Sequence, residues 1–136
     1  MSNLEQTLSI IKPDAVERNL DNEIKEIFKV KGFKIEKEKK IQVAKEEAEE
    51  FYKVHETKPF YNDLCTYLSS GPIVVMILEK ENAVLSNREL MGATNPKDAN
   101  EGTIRKKYGI SIDKNSVHGS DSIENAKIEI DFFFKD

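Results

Sequence analysis

The alternation of apolar and polar residues predicts four short strands. Residues 7–11 are rich in apolar side chains and end at a lysine, a proline and an aspartate, as expected where a strand runs into a turn. Apolar residues in the segment 33–43 stand at odd positions, the period of a half-buried strand, although two lysines interrupt that face. Residues 73–78 are continuously apolar, and we expect a central strand that is covered on both faces. Residues 116–119 are expected to add a last short strand.

Apolar residues at helical spacing, together with stop and capping residues, predict the helices. Ile24, Ile27 and Phe28 recur at helical spacing before Gly32, which is expected to end a helix. The other helices are expected over residues 44–55, 60–68, 83–91 (after a cap at Asn82), near 103–107, and after a cap at Ser120 or Asp121. The segment near 103–107 belongs to a long and mostly irregular region, residues 92–115, and a loop of that length is usually functional or mobile.

The order β-α-β-α-α-β-α-loop-β-α indicates an α+β sandwich with helices packed on one sheet. No stretch rich in Pro, Gly or Ser divides the chain and no repeat is present, so we expect a single domain over residues 1–136. The last helix carries Phe132, Phe133 and Phe134 in succession. Neighbours on a helix are ~100° apart, so the three rings cannot all face one core stripe. Either one ring contacts another subunit, or the helix end is frayed and leaves one ring exposed.

Composition narrows the classes of function. The chain has 136 residues, 38% hydrophobic and 34% charged, which suffices for a core beneath a charged surface. The 21 basic and 25 acidic residues give a formal net charge of −4, which disfavours non-specific nucleic-acid binding. The longest apolar run is far shorter than the roughly 20 residues of a membrane span, and we expect no signal peptide. The single Cys65 fits a reducing compartment, so we expect a cytoplasmic protein.

Several common ligand-binding motifs are absent from the sequence. It contains no GxxxxGK[ST] or GxGxxG loop, no HExxH, no EF-hand loop and no CxxC. One cysteine and two histidines are too few for a structural zinc site. A phosphorylated ligand would therefore have to be held by side chains rather than by a glycine-rich backbone cradle.

The two histidines occupy different environments in the sequence. His118 lies among Gly, Ser, Asn and Asp at a predicted strand-to-helix junction, where an imidazole can act as a nucleophile near neutral pH. The alternative is a loop histidine beside a helix cap. His55 follows a charged helix, and we expect it to be solvated.

Cationic and hydroxyl side chains near the predicted loops could bind phosphate. Lys12 follows the first strand, Arg88 lies just before the long loop, and Arg105 lies inside it. Arginine can clamp phosphate oxygens through its planar fork. Thr94 offers a hydroxyl in a rigid turn. Taken singly, each is explained equally well as a surface charge or a structural cap.

Together these residues form motifs that resemble those of nucleoside diphosphate kinases. The motifs are Lys12-Pro-Asp-Ala-Val16, Arg88-x-x-Met91-Gly-Ala-Thr-Asn-Pro96, Gly102-Thr-Ile-Arg105 and Asn115-x-x-His118-Gly-Ser-Asp121. The resemblance runs from near residue 7 to the end of the chain. It implies a ferredoxin-like α/β sandwich with a four-stranded antiparallel sheet covered by helices. It also implies ping-pong transfer of the γ-phosphate of a nucleoside triphosphate, chiefly ATP, to nucleoside diphosphates.

The resemblance assigns roles to individual residues. His118 matches the histidine that is transiently phosphorylated on its pros nitrogen. Ser120 and Glu129 match the residues that orient it, and Phe60 matches the ring that stacks on the base, which implies broad base tolerance. The matching catalytic residues are His118, Lys12, Tyr52, Asn115, Ser120 and Glu129, and the matching nucleotide-binding residues are Lys12, Phe60, Leu64, Arg88, Thr94, Arg105, Ile112 and Asn115.

The resemblance also implies a cofactor and partners. The family needs Mg²⁺, bound mainly through the nucleotide phosphates rather than by protein ligands. The expected partners are nucleoside tri- and diphosphates and further copies of the chain, without stable nucleic acid or membrane. The sequence ends soon after the last predicted helix and lacks the C-terminal extension that contributes to subunit contacts in longer members. Tetramer and hexamer therefore both remain open.

Two other classes of protein compete with a kinase. One is a nucleotide-binding or interaction protein that keeps the fold without catalysis, which is disfavoured because a pure binder needs no nucleophile. The other is a nucleic-acid-binding module, which the acidic balance and the lack of a basic stripe with interleaved aromatics disfavour.

Overall fold

A four-stranded antiparallel sheet forms the centre of the molecule. The structure is a computed structural model that describes residues 4–111 and 114–134. The strand order is β2-β3-β1-β4, with β1 (Leu4–Ile11), β2 (Lys34–Ile41), β3 (Ile73–Glu81) and β4 (Val117–Gly119). Each neighbouring pair is antiparallel. This is the ferredoxin-like arrangement, so the predicted fold class is confirmed.

Helices cover the sheet on both faces. Their bounds are α1 (Pro13–Glu17), α2 (Asp21–Val30), α3 (Lys45–Phe51), α4 (Tyr61–Leu68), α5 (Ala83–Met91), α6 (Ile104–Tyr108) and α7 (Ile123–Phe134), with 3₁₀ turns at Lys53–His55 and Pro96–Asp98. Every predicted helix is present, whereas α1 and the turn at Pro96–Asp98 were not predicted. Within the described parts of the chain, no helix is long and apolar enough to cross a membrane.

The alternation of side chains along the strands divides the core in two. On one face, Ile11 of β1 and Met76 of β3 pack with α1, α2, α5 and α6. On the other face, Ile10 and Val75 pack with α3, α4 and α7. Residues 73–78 of β3 are all buried, as predicted for a central strand. By contrast, β2 lies at the sheet edge and is mostly exposed, so its lysines at positions 37 and 39 extend past the core.

The capping predictions at α5 and α7 are wrong. Asn82 precedes α5, but it has a left-handed φ of 52° and its side chain makes no capping hydrogen bond. At α7 the cap is Ser122, whose Oγ accepts the backbone N–H of Asn125 at 3.0 Å. Ser120 is buried and bonds elsewhere, while Asp121 accepts from the Asn125 side chain.

The three consecutive phenylalanines at the end of α7 all make contacts within the chain. Phe133 is buried and its two neighbours are half-buried. Phe132 and Phe133 pack on Phe51 of α3, and Phe134 lies beneath the Lys39 ammonium at 5.0 Å. The frayed-end interpretation is therefore wrong, because α7 continues through Phe134. A contact of one half-buried ring with another subunit stays a prediction.

The long segment between α5 and β4 begins at a position that requires glycine. Gly92 ends α5 with a φ of +85°, and a Cβ placed there would lie 2.6 Å from Thr103 Oγ1. Thr103 in turn caps α6, accepting the N–H of Lys106 at 3.3 Å. The start of the segment therefore packs tightly against α6.

We expect Gly92→Ala to lower the free energy of unfolding by more than Gly102→Ala. Gly102 has a similar φ of +87°, but no atom of the described residues lies within 4 Å of the point that a Cβ would occupy. Alanine at position 102 therefore costs only the left-handed strain, about 1–2 kcal/mol. Gly92→Ala adds a steric cost of about 1–3 kcal/mol. Urea unfolding of the two variants measures the difference, and equal losses would contradict the tight packing at Thr103.

Candidate active site

A histidine, a serine and a glutamate meet at the edge of the sheet. His118 is the middle residue of β4 and is paired with Ile10 of β1. Its Nε2 lies 3.0 Å from Glu129 Oε1, and its side chain is 22% exposed. The same carboxylate oxygen accepts a hydrogen bond from Ser120 Oγ at 2.8 Å. Three of the predicted site residues are thus in direct contact.

Backbone and side-chain bonds fix this cluster to the central sheet. Ser120 N–H donates to the Leu8 carbonyl at 3.1 Å, and Leu8 N–H donates to Ser120 Oγ at 3.2 Å. Helix α7 packs along β1, which places Glu129 over the imidazole. A carboxylate that is ionised only accepts hydrogen bonds, so a neutral imidazole paired with one carries its proton on the bonded nitrogen and a lone pair on the other.

A second group of predicted residues surrounds Lys12. Lys12 directly follows β1, its N–H donates to the Ser116 carbonyl at 2.8 Å, and its Nζ donates to Asn115 Oδ1 at 2.9 Å. Asn115 Nδ2 donates to the Thr94 carbonyl at 3.0 Å. Lys12 and Asn115 are buried, and Thr94 is exposed. The lysine, the amide and the threonine turn are therefore linked by hydrogen bonds.

Asp14 supports this second group and was not predicted as a site residue. Its buried carboxylate accepts from Ser116 Oγ at 3.0 Å, from Arg18 at 3.1 Å and from the Tyr67 hydroxyl. Burial, followed by the hydrogen bond to Asp14, raises the pKa of Tyr67. Ser116 has a φ of +75°, so these bonds hold a strained residue beside Asn115. The Lys-Pro-Asp spacing was the available signal, but it did not reveal these partners.

Arg105 ties the start of the long segment to β4. One terminal nitrogen donates to the Gly92 carbonyl at 3.0 Å and the other to the Val117 carbonyl at 2.9 Å. The residue is only 8% exposed. Burial first, and then the charge of the nearby Arg88, lower the pKa of Arg105 to about 10, so it remains a cation at neutral pH. Arg88 itself is exposed.

An aromatic group adjoins the histidine cluster. Tyr52 is buried at the end of α3, and burial, with smaller contributions from Cys65 and Glu129, raises its pKa. His55, expected to be solvated, is half-buried, with ring centroids 6.3 Å from Tyr52 and 6.0 Å from Phe60. The expectation for His55 is therefore wrong, because the 3₁₀ turn after α3 directs it towards these rings.

Two of the three predicted base-binding residues lie at the start of α4. The Phe60 ring is 44% exposed, and Leu64 is half-buried one turn further along. The ring contacts of Phe60 are with His55 rather than with His118. Ile112, the third of these residues, lies outside the described residues.

The fold thus places a carboxylate-bound imidazole on β4 and a buried lysine directly after β1, the strand that pairs with β4, and a phosphotransferase can use both groups. The family model for nucleoside diphosphate kinase matches residues 5–136. Nucleoside diphosphate kinases of Campylobacter jejuni (strain 81116) and Campylobacter lari are each 59% identical to the chain. The first match covers 97% of this chain and 96% of that protein, and the second covers 96% of each.

Solved structures of the same family superpose closely. The Aquifex aeolicus nucleoside diphosphate kinase gives a TM-score of 0.95 at 40% identity, covering 97% of this chain and 96% of that one. The Encephalitozoon cuniculi nucleoside diphosphate kinase gives 0.93 at 38% identity, covering 97% and 90%. The chain belongs to the nucleoside diphosphate kinase family.

We expect Arg105→Lys to destabilise the protein by about 1.5–3 kcal/mol, the range for hydrogen bonds to charged groups. A lysine ammonium cannot reproduce the fork that bridges two carbonyls. Arg88→Lys changes an exposed arginine and serves as the matched control, with an expected effect within about 0.5 kcal/mol. Urea unfolding measures both, and a wild-type midpoint for Arg105→Lys would show that the bridge does not hold the segment.

Proposed function

We propose that this enzyme carries a phosphoryl group on Nδ1 of His118 and passes it from a nucleoside triphosphate, chiefly ATP, to a nucleoside diphosphate. The observation that carries the proposal is the 3.0 Å contact between His118 Nε2 and Glu129 Oε1. It leaves the lone pair on Nδ1 and places a negative charge where the imidazole becomes positive during attack.

The transfer consists of two matched displacements. In the first, the Nδ1 lone pair attacks the γ-phosphorus, the bond to the bridging oxygen breaks, and the nucleoside diphosphate leaves with that electron pair. In the second, a β-phosphate oxygen of another nucleoside diphosphate attacks the same phosphorus, and the P–N pair returns to Nδ1. One site thus serves donor and acceptor in turn, which gives ping-pong kinetics. In both steps the Glu129 carboxylate accepts a hydrogen bond from Nε2–H of His118, and Ser120 Oγ donates to the same carboxylate.

Cationic side chains offset the charge of the transferred group. Lys12, Arg88 and Arg105 are the expected phosphate contacts, and Asn115 and Lys12 are the expected contacts to the ribose 3′-hydroxyl. Lys12 Nζ already bonds to Asn115 Oδ1 at 2.9 Å, so both groups lie together. Thr94 is expected to be a further phosphate contact. Tyr52 is expected to lie next to Lys12. Preorganised charges of this kind lower the barrier to phosphoryl transfer.

The metal is expected to arrive with the nucleotide. Among residues 4–111 and 114–134, no group of three or more His, Cys, Asp and Glu side chains is arranged to hold an ion. We propose that a Mg²⁺ ion is held mainly by the phosphate oxygens of the nucleotide. When bound, Mg²⁺ supplies additional positive charge to the polyphosphate.

Base recognition is expected to rest on stacking. Phe60 is exposed, and the resemblance adds Leu64 and Ile112 as the expected apolar residues of the same base site. Stacking without hydrogen bonds to base edges accommodates any nucleobase, since every base has a π-face. We therefore propose broad base tolerance. We also propose one catalytic domain over residues 1–136, a cytoplasmic location and a homo-oligomer, either tetramer or hexamer.

Incubation with γ-labelled ATP and Mg²⁺ is expected to label the protein through an acid-labile, base-stable linkage, as a phosphoramidate is. His118→Ala is expected to abolish the label because the nucleophile is lost. His55→Ala, which changes the other histidine of the chain, is the control and is expected to label normally.

The label should be discharged by nucleoside diphosphates of every base. Label that persists in His118→Ala, or that shows the stability of a phosphoester, would contradict the assignment. Nucleotide binding by the wild-type chain without any label would favour a non-catalytic binding protein instead.

Phe60→Ala is expected to raise the KM for all nucleoside diphosphates by a similar factor, roughly 5- to 150-fold, because base stacking contributes about 1–3 kcal/mol. Leu85→Ala removes another exposed apolar side chain, on α5, and should leave the KM unchanged. Steady-state kinetics with four bases measures the effect, and a change confined to one base would argue against stacking as the common contact.

A further inference from the structure

The His118 ring has an aromatic contact in addition to its hydrogen bond. Phe51, the last residue of α3, packs against it in a T-shaped pair with centroids 5.4 Å apart and planes at 74°. None of the motifs that identify the family contains Phe51, and the proposed transfer does not use it. Two rings of α7 stand behind it, Phe132 at 5.7 Å and Phe133 at 5.1 Å. Those two rings pack on each other at 4.9 Å.

The position of Phe51 is therefore fixed from several sides. Tyr52, next to it in the chain, contacts it at 5.0 Å, and Phe133 is buried in the core between α7 and the sheet. A ring held by three aromatic neighbours has little freedom to turn away. It presents a rigid wall to the imidazole rather than an adaptable side chain.

The imidazole needs such a wall because a hydrogen bond at Nε2 restrains only one point of its ring. Rotation of a histidine about its Cβ–Cγ bond is broad, without the sharp staggered wells of aliphatic torsions. The bond to Glu129 Oε1 at 3.0 Å leaves the ring able to rock about that point. Contact with Phe51 supplies a second restraint, which sets the direction of the Nδ1 lone pair.

We infer that Phe51 is a positioning residue that, backed by Phe132 and Phe133, sets the plane of the His118 ring so that Nδ1 is aligned for in-line attack. The effect of Phe51 on phosphoryl transfer rests on the proposed function, whereas its effect on the orientation of the His118 ring does not. Misplacement of reacting atoms by about 1 Å can cost on the order of 100-fold in rate. The contribution of Phe51 therefore falls on the chemical step and not on nucleotide affinity.

Phe51→Leu removes the ring while keeping an apolar side chain, and Phe51→Tyr restores it. Phe33→Leu is the matched control, because Phe33 forms a T-shaped pair with Phe28 at 5.6 Å on the opposite face of the sheet. All three variants are compared in the full-length protein by urea unfolding, by single-turnover labelling from ATP and by ¹⁵N NMR of the imidazole in the nucleotide-free protein.

Phe51→Leu is expected to slow labelling at saturating ATP by roughly 10- to 100-fold without raising the ATP concentration for half-maximal rate. Its His118 ring signals should shift or broaden relative to wild type, while Phe51→Tyr stays within about threefold of the wild-type rate. Phe33→Leu should alter stability only. These results together would support a positioning role.

Any of the following results would overturn it: a labelling rate for Phe51→Leu within about threefold of wild type, unchanged His118 ring signals, or an equal rate loss in Phe33→Leu. Failure of the proposed function is distinguishable, since wild-type protein would then take no label whatever the NMR spectra show. If Phe51→Tyr slowed labelling as much as Phe51→Leu, the loss of the aromatic ring could not be the cause of the slower labelling, and the inference would also fail.

Discussion

The site depends on one carboxylate oxygen. Glu129 Oε1 accepts from both His118 Nε2 and Ser120 Oγ, at 3.0 and 2.8 Å, and so joins α7 to β4. Strand β4 has only three residues and pairs with β1, so ladder hydrogen bonds alone hold it weakly. Ser120 also exchanges hydrogen bonds with Leu8 of β1. The carboxylate that bonds to the imidazole therefore also bonds to a residue that is attached to the central sheet.

A second constraint is that the site's cations also hold its loops in place. Arg105 bridges the carbonyls of Gly92 and Val117, and Lys12 bonds to Asn115, which holds the Thr94 turn. The energetic cost of burying Arg105 appears as its lowered pKa of about 10, and its two carbonyl partners offset that cost. Both cations are thus held in fixed positions by the backbone and side chains around them.

Local patterns predicted the elements well and the contacts between them poorly. The apolar run of β3 and the helical spacing of α2 are properties of neighbouring residues, so both could be predicted. The cap of α7 could not, because Ser120 and Ser122 are equivalent in local sequence. The choice is made by the Ser120 bond to Leu8, a partner 112 positions away. The packing of Phe51 on His118 likewise depends on how α3 meets β4, which no spacing in the sequence encodes. The motifs singled out His118 as the candidate nucleophile, but the role of Asp14 as a support required its three-dimensional partners.

The most direct test is to locate the phosphorus on the ring. Protein uniformly labelled with ¹⁵N is phosphorylated with ATP, and ³¹P–¹⁵N coupling identifies the bonded nitrogen. A coupling to Nδ1 of His118, with Nε2 still protonated, is the predicted result. A coupling to Nε2, or phosphorus bound to any other residue, would contradict the central role of the Glu129 contact.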